Sequence, residues 1–440
     1  MRFAIYTFGC KVNQYETQAM ETILTQRGHT LVPFEGEADA YLINTCSVTS
    51  VSDKKCRNLI RRTRRNHPAA LVAVCGCYAQ ASPDAVAGLG VDLVAGTGQR
   101  MAFLDRLEQA VASRQTSVSV DDALHRHGFE SLPAGGLVGR TRALMKVEDG
   151  CTNFCTYCII PFTRGPVRSQ SLEEAVAQAQ SLQAAGYQEI VVTGIEISSW
   201  GRDLPGDQTL IDLLETICHA VPALRIRMGS LEPRTITEDF CRRAAALPNL
   251  CPHFHLSLQS GCDATLKRMN RRYDTARFLR SCELLRQYFH RPAITTDLIC
   301  GFVGETEEEF RQTLDFLKQA QFSAMHIFPY SRRSGTAADR MEGHLPQSVK
   351  EARCHEAAAV AADLQQQYLA GWVGETLPIL VEETAEGATQ GPGVWQGHAP
   401  NYVQVRAQGQ DLHNVLRDVC ITRVEGSHLV GELVEGSETR

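Results

Sequence analysis

Three cysteines lie within eight residues of one another near the middle of the chain, and no other feature constrains the local fold as strongly. Cys151, Cys155 and Cys158 have the spacing C-x3-C-x2-C. A loop with this spacing can turn its thiolates toward one point, as an iron–sulfur cube requires. Because three thiolates leave one iron of a cube without a protein ligand, the motif predicts a [4Fe–4S] cluster with an open iron, where a small molecule can bind and react.

Two other metal sites fit this motif less well. A structural zinc site takes four ligands, and neither a histidine nor a fourth cysteine follows at finger spacing. The bacterial ferredoxin pattern has four cysteines at other spacings. A chance cluster of cysteines in a loop is the remaining alternative. The chain has 16 cysteines in all, which in a cytosolic protein indicates cluster or metal binding for some of them rather than a disulfide framework.

Length and composition predict a soluble protein of two or three domains. A chain of 440 residues exceeds what one hydrophobic core organises, and 43% apolar with 21% charged residues excludes a disordered chain. No apolar run approaches the roughly 18 residues of a membrane span, and the chain opens on a strand pattern rather than a signal peptide, so we expect a cytoplasmic protein without a membrane partner.

The net charge of −6 gives no overall attraction to nucleic acid, so RNA binding would depend on local patches.

The first 115 residues predict an α/β domain with an open parallel sheet covered by helices. Strand patterns at 2–8, 40–45, 70–74 and 91–95 alternate with helical patterns at 13–27 and 51–66 and with a last helix that ends near residue 113.

A second group of cysteines follows the ends of these strands. Cys10 follows the first strand, Cys46 the second, and Cys75 or Cys77 the third. The carboxyl ends of parallel strands lie along one edge of a sheet, where ligands bind, so these residues are candidates for a second metal site. Each could instead be a small buried residue, a common fate of free cysteine. We prefer Cys77 to Cys75 because a glycine precedes it, as a glycine precedes Cys10, and we interpret Cys56 as an ordinary helix residue.

Two further segments of the first half of the chain have distinctive compositions. Residues 53–67 form the densest basic run, which on a helix is usually a solvated face but is also where contacts with RNA phosphates would concentrate. Residues 116–139 contain paired aspartates, a proline and glycines with weak periodicity, and are predicted to be a linker between domains.

Residues 140–371 predict a partial TIM-like (βα)6 barrel. Strand patterns occur near 142–148, 189–193, 224–228, 253–258, 294–299 and 324–328, each followed by a helical pattern. Active sites of such barrels gather at the carboxyl ends of the strands, and the cysteine loop follows the first strand. Glycines and polar residues suited to a small-molecule pocket follow the others, although each taken singly could be a turn or cap residue. These candidates are Gly194 and Glu196 after strand two, Ser230 and Glu232 after strand three, Gln259 after strand four, and Gly301 and Gly304 after strand five.

The tail, residues 372–440, predicts a small antiparallel β-barrel. Alternating stretches at 376–382, 401–407 and 418–424 are separated by glycine-rich turns. The tail has ten acidic residues against four basic ones, namely Arg406, Arg417, Arg423 and Arg440, whereas a barrel that binds phosphate would be expected to be basic. Either a few arginines cluster on one face, or the tail serves mainly as a spacer.

The cysteine motif with the flanking Gly150, Tyr157 and Pro161 resembles the radical S-adenosylmethionine (SAM) enzymes. The resemblance implies that the methionyl amine and carboxylate of SAM occupy the open iron. It also implies that Tyr157 and the candidates after the barrel strands contact SAM. The residues after strand two would bind its amine, and those after strands three and four would bind its ribose or carboxylate. The glycines after strand five would pack against its adenine. Val303 stands where members of the family often have proline.

The order of the three parts resembles, more narrowly, the methylthiotransferases. Segments 8–16, 44–49 and 76–79, the barrel and the tail carry this resemblance over nearly the whole chain. It implies a second [4Fe–4S] cluster held by Cys10, Cys46 and Cys77, SAM as both radical source and methyl donor, and a C-terminal TRAM domain, an oligonucleotide-binding-like module that holds RNA.

Segments 9–16 and 158–169 are most similar to the bacterial threonylcarbamoyladenosine tRNA methylthiotransferases. This implies replacement of C–H by C–SCH3 at carbon 2 of the modified adenosine beside the anticodon, with a tRNA anticodon stem-loop as partner and a flavodoxin or ferredoxin as electron donor. An aromatic C–H has no proton that a side-chain base could remove, so we expect radical chemistry and no catalytic acid–base residue.

Two alternatives stay open at the level of the sequence. The same chemistry could act on isopentenyladenosine in tRNA or on an aspartate of a ribosomal protein; the basic run favours RNA, and the acidic tail does not. A third hypothesis is an RNA-binding iron–sulfur sensor without turnover, which would have no need for the polar residues at the strand ends.

Overall fold

The computed structural model describes residues 1–113, 115–135 and 141–434. The end of the predicted linker (136–139), residue 140 and the last residues of the tail, including Arg440, lie outside the described residues. The predicted α/β architecture is confirmed: an open parallel sheet, a partial barrel of parallel strands and a closed small barrel follow one another along the chain.

The first part is a six-stranded sheet, and all the strand pairs within it are parallel. Its elements are β1 (Arg2–Thr7), α1 (Lys11–Gln26), β2 (Thr30–Leu31), β3 (Ala40–Thr45), α2 (Ser50–Asn66), β4 (Leu71–Gly76), α3 (Cys77–Ala81), α4 (Pro83–Ala87), β5 (Leu93–Ala95), α5 (Arg100–Ser113) and β6 (Ser117–Ser119). The strand order is β2-β1-β3-β4-β5-β6. Every residue of β3 and β4 is buried, as expected of central strands covered by helices on both faces.

Two short edge strands were not predicted. β2 has two residues and β6 three, too few to show a period of alternation. β6 lies within residues 116–139, the predicted linker, but its backbone pairs with β5.

The central part contains the six predicted barrel strands. Its elements are β7 (Arg142–Lys146), β8 (Glu148–Asp149), α6 (Ile160–Arg164), β9 (Arg168–Ser169), α7 (Leu172–Ala184), β10 (Glu189–Thr193), α8 (Leu210–Ala220), β11 (Arg225–Met228), β12 (Ser230–Leu231), α9 (Glu238–Ala245), β13 (His253–Leu256), α10 (Asp263–Arg268), α11 (Thr275–Tyr288), β14 (Ala293–Cys300), α12 (Glu307–Ala320), β15 (Ala324–Pro329) and α13 (Gln347–Ala370).

The third barrel strand is interrupted at Gly229, between β11 and β12. β11 pairs with β10, which pairs with β7, whereas β12 pairs with β13, which continues through β14 to β15. All these pairs are parallel, so the two segments of the third strand join both halves of the open barrel. The largest hydrophobic core lies between these strands and the surrounding helices.

The tail forms a closed five-stranded barrel of β16 (Thr376–Thr384), β17 (Pro392–His398), β18 (Gln404–Gln410), β19 (Val415–Glu425) and β20 (His428–Leu433). The strand pairs are antiparallel except β18 with β20, which is parallel. The predicted small antiparallel barrel is confirmed, with one parallel pair, because a ring with an odd number of strands cannot alternate direction all the way around.

The C-terminal barrel packs against the first residues of the central strands. Arg142 pairs with Glu382 at 2.9 Å, and Arg225 donates to the carbonyl of Pro378 at 2.6 Å. Arg227 donates to the carbonyl of Pro400 at 2.7 Å. The tail therefore closes the end of the central barrel opposite the cysteine loop. In the described part of the chain, no helix has the length and apolar character needed to cross a membrane.

Candidate functional site

Cys10, Cys46 and Cys77 converge at the carboxyl edge of the first sheet. Cys10 is the N-cap of α1, Cys46 follows β3 directly, and Cys77 is the first residue of α3. Burial raises the pKa of Cys77 to about 11 against the opposing effect of Arg164, and the neighbouring Cys10 and Cys46 add to the rise. Burial also raises the pKa of Cys46, and Cys10 again contributes. Three residues that are far apart in sequence thus share one local environment.

Two glycines with positive φ allow this convergence. Gly9 has φ +107°, and a Cβ there would lie 3.1 Å from the Cys46 Sγ and 2.9 Å from its Cβ. Gly76 has φ +97°, and a Cβ there would lie 2.5 Å from the backbone oxygen of Thr45. Any other residue would be strained and would push the cysteine loops apart.

The other two cysteines of this domain have different surroundings. Cys75 is fully buried within the apolar core of the first sheet. Cys56 is also fully buried, and its thiol donates to the carbonyl oxygen of Cys46 at 3.6 Å. Cys56 is thus a buried residue of α2, as the sequence suggested, and it packs directly behind the Cys46 loop.

The cysteines of the C-x3-C-x2-C motif, the first trio, lie in the loop between β8 and α6, whereas Cys10, Cys46 and Cys77 form the second trio. Cys151, Cys155 and Cys158 are all partly exposed. Burial raises the pKa of Cys158 to about 12, with a further contribution from Cys155. The backbone of this loop is fixed from outside: Cys151 N donates to the carbonyl of Gly165 at 3.0 Å, and Thr156 N donates to the carbonyl of Met269 at 3.0 Å.

The chemistry of both trios fits an iron–sulfur cube. Within the described ranges, no three histidine, cysteine or acidic side chains are arranged to hold a single metal ion. In a cube each cysteine binds a different iron, so the sulfurs do not need to share one atom. Thiols whose pKa is raised by burial need a nearby cation to become thiolates, and bound iron supplies that charge.

Three of the candidate SAM contacts lie around the cysteine loop. The Glu196 carboxylate accepts from Asn153 Nδ2 at 3.4 Å, which ties it to the residue between the first two cysteines. Burial and the nearby Glu232 raise the pKa of Glu196 to about 7. The Tyr157 ring packs edge-on against Phe302 with centroids 6.3 Å apart. Two acidic groups and an aromatic ring therefore stand beside the first trio.

Glu148 supports this group from behind. Its carboxylate accepts from the backbone N–H of Glu196 at 2.7 Å. A Cβ on Gly194 would lie 2.6 Å from the same carboxylate, so the close packing of β10 on β8 requires glycine there. Burial raises the pKa of Glu148 well above its usual value, against the opposing effect of the hydrogen bond from Glu196.

The remaining candidates lie at the predicted strand ends but face other neighbours. Gln259 has φ +68°, and its backbone bridges β13 and β14. Ser230 is exposed at the start of β12. A Cβ on Gly301 would meet Lys350 of α13, and Gly304 N donates to the carbonyl of Gly343 at 3.0 Å. The predicted contacts of these four residues with SAM stay a prediction.

Two arginines at the site carried no signal in the sequence. Arg271 donates from Nη1 to the Cys155 Sγ at 3.3 Å and from Nη2 to the carbonyl of Ser257 at 3.2 Å. Arg333, which follows β15, pairs with Asp53 of α2 at 2.9 Å and also donates to Ser47. Both lie in irregular segments without a motif, and only the folded chain places them near the cysteines.

A buried ionic network joins the two cysteine trios. Arg164, six residues after Cys158, donates to the Asn13 side-chain oxygen at 2.7 Å and pairs with Glu16, both on α1. The Asn13 amide donates in turn to the carbonyl oxygens of Phe8 at 2.8 Å and Thr45 at 3.0 Å, which precede the Cys10 and Cys46 loops.

Further charges complete this network. Glu16 also pairs with Arg100 of α5 at 2.7 Å. Asp149 pairs with Lys146 and with Arg164, each at 3.3 Å. All these ionic side chains are less than a tenth exposed, so the network fixes the first domain against the cysteine loop of the second.

Two family models match parts of the chain. An uncharacterized protein family, UPF0004, matches residues 2–96, which contain Cys10, Cys46 and Cys77. The radical SAM superfamily matches residues 145–317, which contain the C-x3-C-x2-C loop.

Several curated relatives match over nearly the full length. The chain is 40% identical over 434 residues to the threonylcarbamoyladenosine tRNA methylthiotransferase MtaB of Bacillus subtilis, covering 98% of this chain and 96% of the relative. It is 38% identical to MtaB of Thermotoga maritima, with 86% of each chain covered. It is 33% identical to the tRNA-2-methylthio-N(6)-dimethylallyladenosine synthase of Symbiobacterium thermophilum, covering 100% of this chain and 95% of the relative.

Solved structures show the same fold at low sequence identity. The radical SAM methyltransferase TsrM of Kitasatospora setae superimposes with a TM-score of 0.54 at 16% identity, covering 74% of this chain and 73% of TsrM. The cobalamin-dependent SAM radical enzyme OxsB superimposes with a TM-score of 0.53 at 12% identity, covering 82% of this chain and 56% of OxsB.

Proposed function

The chain belongs to the radical SAM methylthiotransferases that modify tRNA, enzymes with a [4Fe–4S] cluster and SAM, and from this premise we propose its nucleoside substrate and a second cluster. The proposed reaction is methylthiolation of carbon 2 of threonylcarbamoyladenosine beside the anticodon, giving 2-methylthio-threonylcarbamoyladenosine. The observation that carries the substrate is the higher identity to MtaB, 40% against 33% for the dimethylallyladenosine synthase, over comparable lengths.

The two cysteine trios have separate roles in this proposal. Cys151, Cys155 and Cys158 would hold the cluster that binds SAM, and Cys10, Cys46 and Cys77 would hold a second [4Fe–4S] cluster. When bound, the first group supplies a 5′-deoxyadenosyl radical from SAM, and the second supplies the sulfur that another SAM methylates. The convergence of each trio and the Asn13–Arg164 contact between them support this assignment.

The chain's own residues would bind and orient the reactants. Glu196 and Glu232 lie beside the cysteine loop, where a carboxylate can pair with the amine of SAM. Arg271 holds the Cys155 side chain in place through its hydrogen bond to the sulfur. The adenosine would leave its stack to enter this space, which costs little in an anticodon loop.

The exposed face of α2 supports a tRNA partner. Lys54, Lys55, Arg61, Arg62 and Arg65 are exposed and lie within an arc of roughly 120° on the helix. Among the described residues none of these five side chains has an ion pair or hydrogen bond.

On two other exposed helices, α9 and α12, arginines are neutralised within the helix, as the ion pairs Arg242–Asp239 and Arg311–Glu307 show. A row of unpaired cations that begins beside the Cys46 loop is suited to RNA phosphates.

A tRNA substrate also implies that the enzyme acts in the cytoplasm, where a flavodoxin or ferredoxin would reduce the first cluster.

Nucleoside analysis of tRNA from a deletion strain tests the substrate. We expect the methylthio-threonylcarbamoyl nucleoside to disappear, its precursor to accumulate and the methylthio-isopentenyl nucleoside to persist. Complementation with the wild-type gene should restore the product. Persistence of the methylthio-threonylcarbamoyl nucleoside would exclude the proposal, and selective loss of the isopentenyl derivative would identify the alternative substrate.

A further inference from the structure

The interior of the central barrel is open and mostly polar on the side of its last three strands. Along β14, Ile294, Leu298 and Cys300 point outward into the helix-covered core, so the alternating Thr295 and Asp297 point inward. The inward-facing residues are partly exposed, whereas strands with both faces covered are buried throughout.

Hydrogen bonds and ring contacts link these inward-facing side chains. His255 hydrogen-bonds Thr295 at 3.0 Å and lies 3.4 Å from the Asp297 carboxylate. His326 of β15 stacks on the half-exposed Phe328 with ring centroids 6.4 Å apart. Such a lining can hydrogen-bond a polar group, and it is a poor match for a branched hydrocarbon chain.

The floor of this interior is built by the C-terminal barrel. The Tyr402 ring stacks on His253, the first residue of β13, with centroids 5.0 Å apart. The guanidinium groups of Arg227 and Arg142 lie 4.7 Å and 5.3 Å from the centroid of the same ring. Both arginines are neutralised, Arg227 by Glu189 at 2.7 Å and Arg142 by Glu382 at 2.9 Å.

Lys11 lies next to this floor and has no such partner. It is the first residue of α1, directly after Cys10, and it interacts electrostatically with Tyr402, Arg227, Arg142 and Glu189. Its side chain is exposed, and within the described chain it forms no ion pair and no hydrogen bond. An exposed ammonium group without an ion partner therefore lies close to the barrel floor, directly after Cys10 of the second trio.

We propose that Lys11 binds a carboxylate on the N6-substituent of the substrate adenosine and so determines which modified adenosine the enzyme accepts. This inference rests on the proposed function, because a base whose carbon 2 approaches the second trio must place its N6-substituent within a few ångströms of the same trio. The threonylcarbamoyl group ends in a carboxylate and a hydroxyl group, whereas the isopentenyl group has neither. An ammonium–carboxylate contact in a closed site is a strong, charge-assisted hydrogen bond.

Binding measurements on the reconstituted Lys11→Gln enzyme test this role apart from turnover. The probes are two anticodon stem-loops of one sequence, with threonylcarbamoyladenosine or unmodified adenosine at the target position. We expect the substitution to weaken binding of the modified RNA by roughly 10- to 100-fold, since hydrogen bonds to charged groups contribute about 1.5–3 kcal/mol. Binding of the unmodified RNA should stay within two-fold of wild type, and Lys11→Arg should restore most of the loss.

Lys54→Gln is the matched control, because Lys54 is an exposed lysine without a partner in the same domain. It should weaken both stem-loops equally. Equal weakening of both RNAs by Lys11→Gln would mean that Lys11 contacts a phosphate, and unchanged binding of both would mean that it contacts no RNA; either result overturns the inference.

Failure of the proposed function has a different signature. If wild-type enzyme neither prefers nor methylthiolates the threonylcarbamoyl stem-loop, the substrate assignment itself is wrong. If wild-type enzyme does both and Lys11→Gln keeps the full preference, only the role of Lys11 is refuted.

Discussion

Cys75 and Cys77 are separated by one residue, yet their surroundings differ completely. Cys77 begins α3 and shares its environment with Cys10 and Cys46, whereas Cys75 points into the core of the first sheet. Residues two positions apart in a continuing strand would face the same side, but β4 ends at Gly76, where a φ of +97° turns the chain into α3 and gives Cys77 a new direction. The glycine argument from the sequence selects the same cysteine that the structure brings into the trio.

Substitution of these two cysteines distinguishes their roles. We expect Cys77→Ala to lower iron from about eight to about four per chain after anaerobic reconstitution, because one of the two cubes loses a ligand. The same variant should still cleave SAM to 5′-deoxyadenosine but transfer no sulfur. Cys75→Ala should keep all the iron. Equal iron in wild type and Cys77→Ala would contradict the assignment of Cys77.

Glu196 predicts a pH dependence of SAM binding. Burial and the nearby Glu232 raise its pKa to about 7, so the carboxyl group is mostly neutral at pH 6 and mostly ionised at pH 8. The carboxylate accepts a hydrogen bond from the amine of SAM more strongly than the neutral carboxyl group does, so affinity for SAM should rise as the pH rises. The ionised fraction changes roughly ten-fold over this range, and equilibrium binding should follow it.

Glu196→Gln is the control for this prediction. The variant cannot ionise at this position, so its affinity for SAM should be lower at pH 8 and nearly constant between the two pH values. The same slope in wild type and variant would show that another group titrates.

At the scale of elements, α1 and the loop that ends in Arg164 act as a unit. Arg164 is fully buried and contacts both Glu16 and Asn13 of α1. Its removal leaves the Glu16 and Asp149 carboxylates short of a partner in a buried site. Loss of one partner of a buried ion pair typically costs about 3–5 kcal/mol.

We therefore expect Arg164→Gln to lower the free energy of unfolding by about 3–5 kcal/mol, measured by denaturant unfolding under anaerobic conditions. Arg242→Gln is the comparison, since Arg242 pairs with Asp239 on the surface and both side chains are more than half exposed. That change should cost less than about 1 kcal/mol. Similar losses in the two variants would show that the buried network contributes little stability.

The elements themselves were largely predictable. Alternation of apolar runs and helical patterns located the six barrel strands and the long helix α13, because these segments are long enough to show a period. The edge strands β2 and β6 were not predicted, because two and three residues are too few to show a period. The parallel pairing of β18 with β20 was not predicted, because the relative direction of two strands depends on how the barrel closes and leaves no local pattern in the sequence.

At the scale of the whole molecule, the sequence located the cysteines but not what holds the domains together. Strand-end positions are local information, and they placed both trios. Arg271 and Arg333 lie in irregular segments, and their partners are about 116 and 280 residues away in sequence. Contacts of this kind depend on how complete domains pack, which no single stretch of residues encodes.

The acidic tail illustrates the same point. Its composition left open whether it is a spacer, but the structure shows that Arg142, Arg225 and Arg227 of the central barrel bond to its acidic and carbonyl oxygens. Part of the negative charge is therefore used against the protein itself. Arg406 and Arg423 lie on the remaining surface of this barrel, together with His428.

The shared network of Asn13, Glu16, Lys146, Asp149 and Arg164 has a consequence for chimeric enzymes. Two of these residues come from the first domain and three from the second, and Glu16 of the first domain pairs with both Lys146 and Arg164 of the second. A hybrid that grafts the amino-terminal half of one relative onto the barrel of another must transplant all five positions together. Without matching residues at these positions, the hybrid would bury charges that have lost their partners, so the two halves cannot be exchanged independently.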